Sequence, residues 1–434
     1  MEKEKHMYNF QTASFILIGS FLVLLILRVP ITFTLFASSV VTAVYLKIPL
    51  MSIVQRMVSG VNSFSLLAIP FFILSGEMMS RGGISRRLIA FSNALIGRVR
   101  GGLAQVNCLA SMFFGGISGS AVADTAAVAA LLIPMMRNAG YSVPRSAGLI
   151  AAAGCTAPVI PPSIPLVVFG VTTQLSITKL FMAGIAPGLM MAAVLAVTWR
   201  LVSQKESSHL HPFDAGRVLR ALRDGVWALV LPVVIIGGMR AGIFTPTEAA
   251  VVAVFYSLFV GLFIYRELQF RKIPHLMLIA LKVSSTIMFL VACAMVSAWL
   301  ITIADIPSQT MHILEPFMGS PTLLMLIIMI LVVVVGTALD LMPTVLILGP
   351  ILVPVVKQAG IDPYYFGVLF IMNNAIGLLT PPVGTVLNVV AGVSREGLDS
   401  VIKGVWPFLL AETLLMFLLV LFPALVIVPA RWLY

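Results

Sequence analysis

Four short stretches hold the residues that could do chemistry in this chain. Two of them, Gly115-Gly116-Ile117-Ser118-Gly119-Ser120-Ala121 followed by Asp124-Thr125, and Gly336-Thr337-Ala338-Leu339-Asp340-Leu341-Met342-Pro343-Thr344, set glycines, hydroxyls and an aspartate inside apolar sequence. Lipid cannot satisfy the amides and carbonyls that such residues open, so this backbone must lie beside a cavity, an ion or other protein. A carboxylate at the bilayer centre costs roughly 2.5–3.5 kcal/mol on insertion scales, so Asp124 and Asp340 are expected to face water, an ion or a donor. Capping of the following half-helix by Asp124 is an equal reading. Small residues also serve tight helix packing, but two such stretches at matching positions weigh against that as the whole explanation.

The other two stretches carry double prolines: Gly154-Cys155-Thr156-Ala157-Pro158-Val159-Ile160-Pro161-Pro162-Ser163 and Asn373-Asn374-Ala375-Ile376-Gly377-Leu378-Leu379-Thr380-Pro381-Pro382. Proline lacks the amide proton and clashes with the preceding turn, so the carbonyls of Ala157, Ile160, Gly377 and Thr380 are expected to lose their helical partners. Rings of neutral oxygens suit a hard monovalent cation such as sodium, and half-helix N-termini nearby offer positive dipole ends to an anion. A plain proline kink is the competing reading.

Enzymatic readings fare poorly. Gly116-Ile117-Ser118-Gly119 fits the short GxSG pattern of intramembrane serine proteases, but a serine nucleophile needs a base within reach, and His6, His209, His211, His275 and His312 fall in tails, loops or helix ends. No GxxxxGK[ST] loop is present to cradle a nucleotide, so an ion gradient or another subunit must supply the energy. Cys108, Cys155 and Cys293 stand singly in apolar sequence without metal or disulfide spacing and read as core residues.

The elements that must hold these stretches follow from composition. Of 434 residues, 60% are hydrophobic and 10% charged, against roughly 45–50% and about 25% in soluble domains. Mean hydropathy is +1.09, and the uninterrupted apolar run from Leu323 to Val335 excludes the alternating strands of an outer-membrane barrel. The chain is an all-α polytopic membrane protein. Expected spans are 12–29, 31–47, 60–80, 145–178, 180–200, 226–240, 246–265, 275–301, 363–393 and 404–430. Residues 102–136 and 321–356 are each broken near the middle and read as re-entrant hairpins. The apolar segment that follows residues 1–11 shows no clear small-residue cleavage site before Arg28-Val29-Pro30 and is kept as a membrane helix.

Net charge is +11, and the basic residues read as topology signals rather than as a nucleic-acid surface. With both termini outside, eighteen of the 27 lysines and arginines fall inside, including Arg81 to Arg100 and a loop carrying Arg200 to Arg223. Two segments 220 residues apart also align without a gap over about 45 positions. Gly116 matches Gly336, Pro134 matches Pro354, Arg137-Asn138-Ala139-Gly140 matches Lys357-Gln358-Ala359-Gly360, and Pro161-Pro162 matches Pro381-Pro382. One copy starts inside and the other outside, so the repeat is inverted, with one hairpin and one broken helix in each half.

GGISGSAVADTAA, APVIPPS and NNAIGLLTPPVG resemble the large membrane subunit, DctM type, of the tripartite ATP-independent periplasmic (TRAP) transporters, over nearly the whole chain. The resemblance implies an elevator-type secondary transporter of a bacterial inner membrane, without an enzymatic activity or cofactor, and with Na+ as coupling ion. It implies a small four-helix membrane subunit, expected as a separate chain because residues 1–11 are too short to hold it. It also implies a periplasmic protein that captures and delivers an organic acid. Carried over by matched position, one sodium site lies near Ser118, Ala157, Ile160 and Pro162, and the other near Ala338, Gly377, Thr380 and Pro382. Ser118 pairs with Ala338, so the two sites need not be equivalent. Between the tips, Ser120, Asp124, Thr125, Asp340, Thr344, Asn373 and Asn374 are the substrate candidates. No arginine cluster marks a carboxylate clamp in mid-membrane, so half-helix dipoles and sodium are expected to offset the substrate charge.

The expected organisation is scaffold over 1–80, an amphipathic connector over 81–101, and a first transport half over 102–178. Scaffold follows over 179–301, a second connector over 302–320, a second transport half over 321–393 and a scaffold helix over 394–434. Glu77, Glu248 and Glu412 read as helix-packing or interface residues. A self-sufficient anion:sodium symporter of similar architecture and a non-transporting membrane subunit are the alternatives.

Overall fold

The computed structural model describes residues 10–97, 101–203, 214–337, 339–381 and 384–434, and the side chains of Phe10, Ile117 and Ser118 lie outside that description. Every described element is helical. The first half comprises α1 (Phe10–Ile26), α2 (Ile31–Tyr45), α3 (Leu50–Val61), α4 (Ala68–Arg81), α5 (Ile84–Ile96), α6 (Gly102–Ser118), α7 (Ala121–Asn138), α8 (Val143–Gly154), α9 (Ile164–Thr173) and α10 (Ile177–Val202). The second comprises α11 (Ala215–Arg240), α12 (Pro246–Phe259), α13 (Ile273–Ile303), α14 (Ile306–Leu314), α15 (Pro321–Gly336), α16 (Leu341–Gln358), α17 (Pro363–Gly377), α18 (Thr385–Ser394), α19 (Leu398–Leu421) and α20 (Ala424–Leu433). Six stretches among the described residues are long and apolar enough to cross a bilayer: Phe64–Arg81, Ile177–Val202, Pro246–Ile264, Phe270–Ile303, Leu341–Gln358 and Leu398–Leu421.

The repeat reaches well beyond its aligned motifs. Helix α16 follows α7 by 220 residues at both ends, and α14, α15, α17, α18 and α19 follow α5, α6, α8, α9 and α10 at nearly the same offset. The same relation places the single helix α13 opposite α3 and α4 together, which are parted by a break at Asn62-Ser63. The connectors expected at 81–101 and 302–320 hold α5 and α14, and the hairpins are α6–α7 and α15–α16.

Two expectations need correction. Arg217, Arg220 and Arg223 do not lie in a loop: α11 runs unbroken from Ala215, capped by the Asp214 carboxylate, which accepts from the Gly216 amide at 2.8 Å. No proline precedes Pro232 in that helix, Gly216 falls in its first turn, and the one interior glycine there, Gly225, is cheap beside the packing of α11 on α5. Helix α3 was not foreseen as an element. It starts behind Pro49 and buries Ile53, with Met57 and Val61 packed beside it at helical spacing.

Packing sorts the helices into two groups. Helices α1, α2, α3, α4, α11, α12 and α13 contact one another, with α5 packed on α11. In the second group α10 packs on α6, α17, α19 and α20, and α19 packs on α8, α10 and α17. Helices α10 and α19, grouped with the scaffold over 179–301 and 394–434 in the sequence reading, therefore stand with the hairpins and broken helices. Gly148 and Gly404 set the closeness of α8 and α19, since a methyl group on Gly148 would stand 2.6 Å from the Gly404 carbonyl carbon. The groups meet where α4 and α5 touch α6 and where α13 and α14 touch α16.

Several basic residues expected on the two sides make charged or cation–π contacts. Arg86 and Arg87 bind Glu267 at 3.2 and 2.7 Å, and Arg137 approaches Glu396 at 3.8 Å, all within the set assigned inside. Within the set assigned outside, Arg240 donates to the Trp432 carbonyl at 3.0 Å, Lys179 lies over the Tyr364 and Tyr434 rings, and Arg56 lies over Trp299. Each partner lies near its basic residue in the expected topology.

Candidate functional site

The first tip is a sharp reversal. Gly119 takes the left-handed conformation, with φ of 61°, and closes α6 through its amide to the Gly115 carbonyl at 3.2 Å. Ser120 then caps α7, its hydroxyl accepting from the Ala123 amide at 3.4 Å. Asp124 is thus not the cap; it sits in the first turn of α7, 3% exposed, where the helix N-terminus favours a negative charge.

This tip lies on the broken stretch between α8 and α9. A methyl group on Gly115 would stand 2.8 Å from the Ala157 Cα, one on Gly116 3.5 Å from the Pro161 carbonyl oxygen, and one on Gly119 2.8 Å from the Pro162 carbonyl oxygen. Among the described residues no hydrogen bond ends on the carbonyl oxygens of Ala157, Ile160, Pro161 or Pro162. All four residues are buried. Buried carbonyls are nearly always partnered, so this group, of which the Pro161 and Pro162 oxygens lie against tip glycines, could offer neutral oxygens to a cation. Ser163 closes the segment: its hydroxyl donates to the Pro158 carbonyl at 2.5 Å and accepts from the Leu166 amide at 3.3 Å at the head of α9. Sequence reasoning passed over Ser163, although a serine just before Ile-Pro is a helix-start signature.

The second tip repeats the arrangement with different chemistry. Gly336 meets Gly377 across it: a methyl group on Gly377 would stand 3.2 Å from the Gly336 carbonyl oxygen. Asp340 is the first residue before α16 and is exposed, and Pro343 lies in the first turn of α16, where no amide partner is missed. The carbonyls of Gly377 and Thr380 are not left open as expected. They accept from the Thr380 amide at 3.0 Å and the Gly384 amide at 3.2 Å, because the chain tightens into a turn after α17 instead of unwinding. Each retains a second lone pair, so this half suits a cation less well than the first. Ala338 and Pro382 lie outside the described residues.

The other candidates do not converge on one point. Ser120 and Asp124 line a cavity of about 210 Å³ together with Glu77 and Ser80 of α4 and Val283 of α13, at the meeting of the two helix groups. Glu77, read from the sequence as a packing residue, therefore faces the same space as Asp124. Nothing in its own surroundings in the sequence signals this, since only the fold brings α4 to the tip. Thr125 is fully buried on the other side of α7: a methyl group on Gly154 would overlap its hydroxyl, which has no hydrogen-bond partner among the described residues. Thr344 donates to the Asp340 carbonyl at 2.9 Å. Asn373 donates to the Met329 carbonyl of α15 at 2.7 Å, and Asn374 to the Phe370 carbonyl within α17 at 2.7 Å. The buried carbonyl oxygens of both asparagines have no partner among the described residues. Asn107 of α6 donates to the Leu149 carbonyl of α8 at 3.4 Å, so each half ties its hairpin to its broken helix by one asparagine amide, from opposite partners.

Residues 18–425 match the family model described as "Tripartite ATP-independent periplasmic transporter, DctM component". A 2,3-diketo-L-gulonate TRAP transporter large permease of Escherichia coli is 53% identical over 379 residues, covering 87% of this chain and 89% of its own. A C4-dicarboxylate TRAP transporter large permease, DctM, of Pseudomonas aeruginosa is 38% identical over 371 residues, covering 85% and 87%. Among solved structures, the YdaH transporter of Alcanivorax borkumensis superposes with a TM-score of 0.65 over 92% of this chain and 96% of its own; at 14% identity it speaks for the fold alone. An all-helical inverted repeat matched over nearly its whole length by large permeases makes the chain a member of the DctM family, the large permease component of the TRAP transporters.

Proposed function

We propose that this chain is the sodium-coupled permease that carries an organic acid across the bacterial inner membrane after a periplasmic protein has delivered it. The buried, unpartnered carbonyls of Ala157, Ile160, Pro161 and Pro162 beneath the first tip carry the reading, because buried backbone oxygens without a donor suit a bound cation. With Ser118 they form the first ion site, and Ala338, Gly377, Thr380 and Pro382 the second. Sodium supplies positive charge beside the substrate and a tie between tip and broken helix. The N-termini of α7 and α16, at Ser120 and Asp340, point their positive dipole ends at the substrate's carboxylate. Asp124 and Asp340 accept hydrogen bonds from substrate hydroxyls, and Thr125, Thr344, Asn373 and Asn374 fix the walls behind them. The body that moves comprises the hairpins and broken helices with α10 and α19, sliding against α1–α4 and α11–α13, and α5 and α14 are the arms that join the two. A small four-helix membrane subunit completes the complex. The permeases of E. coli and P. aeruginosa, named for a sugar acid and for C4-dicarboxylates, support a carboxylate substrate.

Uptake of radiolabelled organic acids into proteoliposomes tests this, using the chain with its small subunit, with and without the periplasmic protein, under a sodium gradient or none. Uptake that needs both the gradient and the soluble protein, and is lost in Gly377→Leu, is the expected result. Uptake without the soluble protein would instead favour a self-sufficient symporter, and sodium-independent uptake of every acid would overturn the carbonyl-site reading.

A further inference from the structure

A second cavity, of about 720 Å³, opens between α5 and α11, away from both tips. Five arginines line it: Arg86 and Arg87 from α5, and Arg217, Arg220 and Arg223 from α11. Two carboxylates, Asp224 and Glu267, share the wall, so the lining carries a surplus of positive charge. Glu267 is held by Arg86 at 3.2 Å and Arg87 at 2.7 Å, and Arg87 also lies over the Tyr265 ring at 3.7 Å. Arg220 approaches Asp214 at 3.7 Å. Arg217 and Arg223, six residues apart on α11, are exposed and make no ion pair among the described residues.

We propose that this cavity binds the headgroup of an anionic phospholipid, with Arg217 and Arg223 as the phosphate ligands and Arg86 and Arg220 at its rim. The ligand class follows from the guanidinium groups, which match phosphate oxygens in a two-pronged geometry. That the phosphate belongs to a lipid follows from what lies beside the arginines on α11: Leu219 is 67% exposed, Leu222 38% and Trp227 41%, so exposed apolar side chains are interleaved with the basic row and a half-exposed indole follows it about one turn on. This combination belongs to the boundary between headgroups and acyl chains. The positive-inside count places it in the cytoplasmic leaflet, where anionic lipids attract basic pockets. A row of arginines that only sets topology needs no cavity and would show no headgroup preference.

Trp227 lines the cavity, so quenching of its fluorescence by lipids with brominated chains reads occupancy directly. The full-length protein is reconstituted in phosphatidylcholine bilayers containing brominated phosphatidylglycerol or brominated phosphatidylcholine, and the Trp227 contribution is taken as the difference from Trp227→Phe. The expected result is a preference for phosphatidylglycerol of roughly tenfold in wild type, falling to about twofold or less in Arg217→Gln/Arg223→Gln, whose exposed positions leave the fold intact. Equal quenching by the two lipids in wild type, or a preference unchanged in the double variant, overturns the proposal. Millimolar inorganic phosphate is added in a parallel arm. No displacement is expected for a lipid site, whereas displacement would assign the arginines to a soluble phosphate and overturn the lipid source.

Discussion

Gly115 and Gly116 are neighbours on α6 with unequal surroundings, and alanine at each gives a controlled test of the first ion site. Either change gains about 0.8–1.0 kcal/mol of helix propensity. At Gly116 the added methyl would find the Pro161 carbonyl oxygen at 3.5 Å, an ordinary contact. At Gly115 it would find the Ala157 Cα at 2.8 Å, which is backbone and cannot rotate away. Overpacking of that kind costs roughly 1–3 kcal/mol, so Gly116→Ala should be stabilising by about 1 kcal/mol and Gly115→Ala should lose up to about 2. The strain at Gly115 is relieved by parting the tip from the broken helix, which draws the Ala157 carbonyl off the ion. A loss of about 2 kcal/mol there raises the sodium concentration for half-maximal uptake by roughly 30-fold. The assay is sodium-dependent uptake in proteoliposomes beside thermal unfolding of the same preparations. Matching sodium dependence in the two variants would refute the assignment of the Ala157 carbonyl to the ion site.

The Thr125 hydroxyl is buried without a partner among the described residues, so Thr125→Val should hold thermal stability or raise it by about 1 kcal/mol while uptake continues. Lost uptake with an intact melt would move that hydroxyl into the transport path. Glu412 of α19 is fully buried and neither carboxyl oxygen has a partner among the described residues. Exchange for methionine, of similar volume, should raise the unfolding midpoint, because burying such a group costs about 1–3 kcal/mol; a lowered midpoint would reveal a ligand on the carboxyl. Arg87 latches arm α5 through Glu267 at 2.7 Å, the Gly83 carbonyl at 3.0 Å and the Tyr265 ring at 3.7 Å. Arg87→Ala should destabilise by about 1–2 kcal/mol, only partly reproduced in wild type by high salt, since stacking on Tyr265 survives screening. An effect abolished by salt would assign the latch to the ion pair alone.

Patterns local in the chain, or repeated along it, were open to reading from the residues themselves. Apolar length announces helices in lipid, because every backbone group must be satisfied within its own segment, and proline, glycine and serine punctuate those helices where the chain reverses. The constant 220-residue offset carried the inverted repeat, the two hairpins and the two broken helices before any packing was known. Charge asymmetry supplied the expected topology, with Arg86, Arg87 and Arg223 on one side and Arg240 on the other. Resemblance to a family added the ion, the partners and the assignment of positions to sites.

Tertiary structure alone decided which of the paired positions are equivalent in chemistry. Pro161-Pro162 and Pro381-Pro382 look alike as sequence, yet the turn after α17 uses the carbonyls of Gly377 and Thr380 while those of Ala157 and Ile160 stay open, because hydrogen bonding depends on the path of the backbone between the prolines. The same holds for Glu77, which α4 brings to the cavity of Asp124 across a long sequence separation, and for α10 and α19, whose partners are chosen by glycine contacts such as Gly148 with Gly404. Periodicity and punctuation are properties of a segment and survive in the sequence; which faces meet is set by packing of the whole chain, and no segment carries that information by itself.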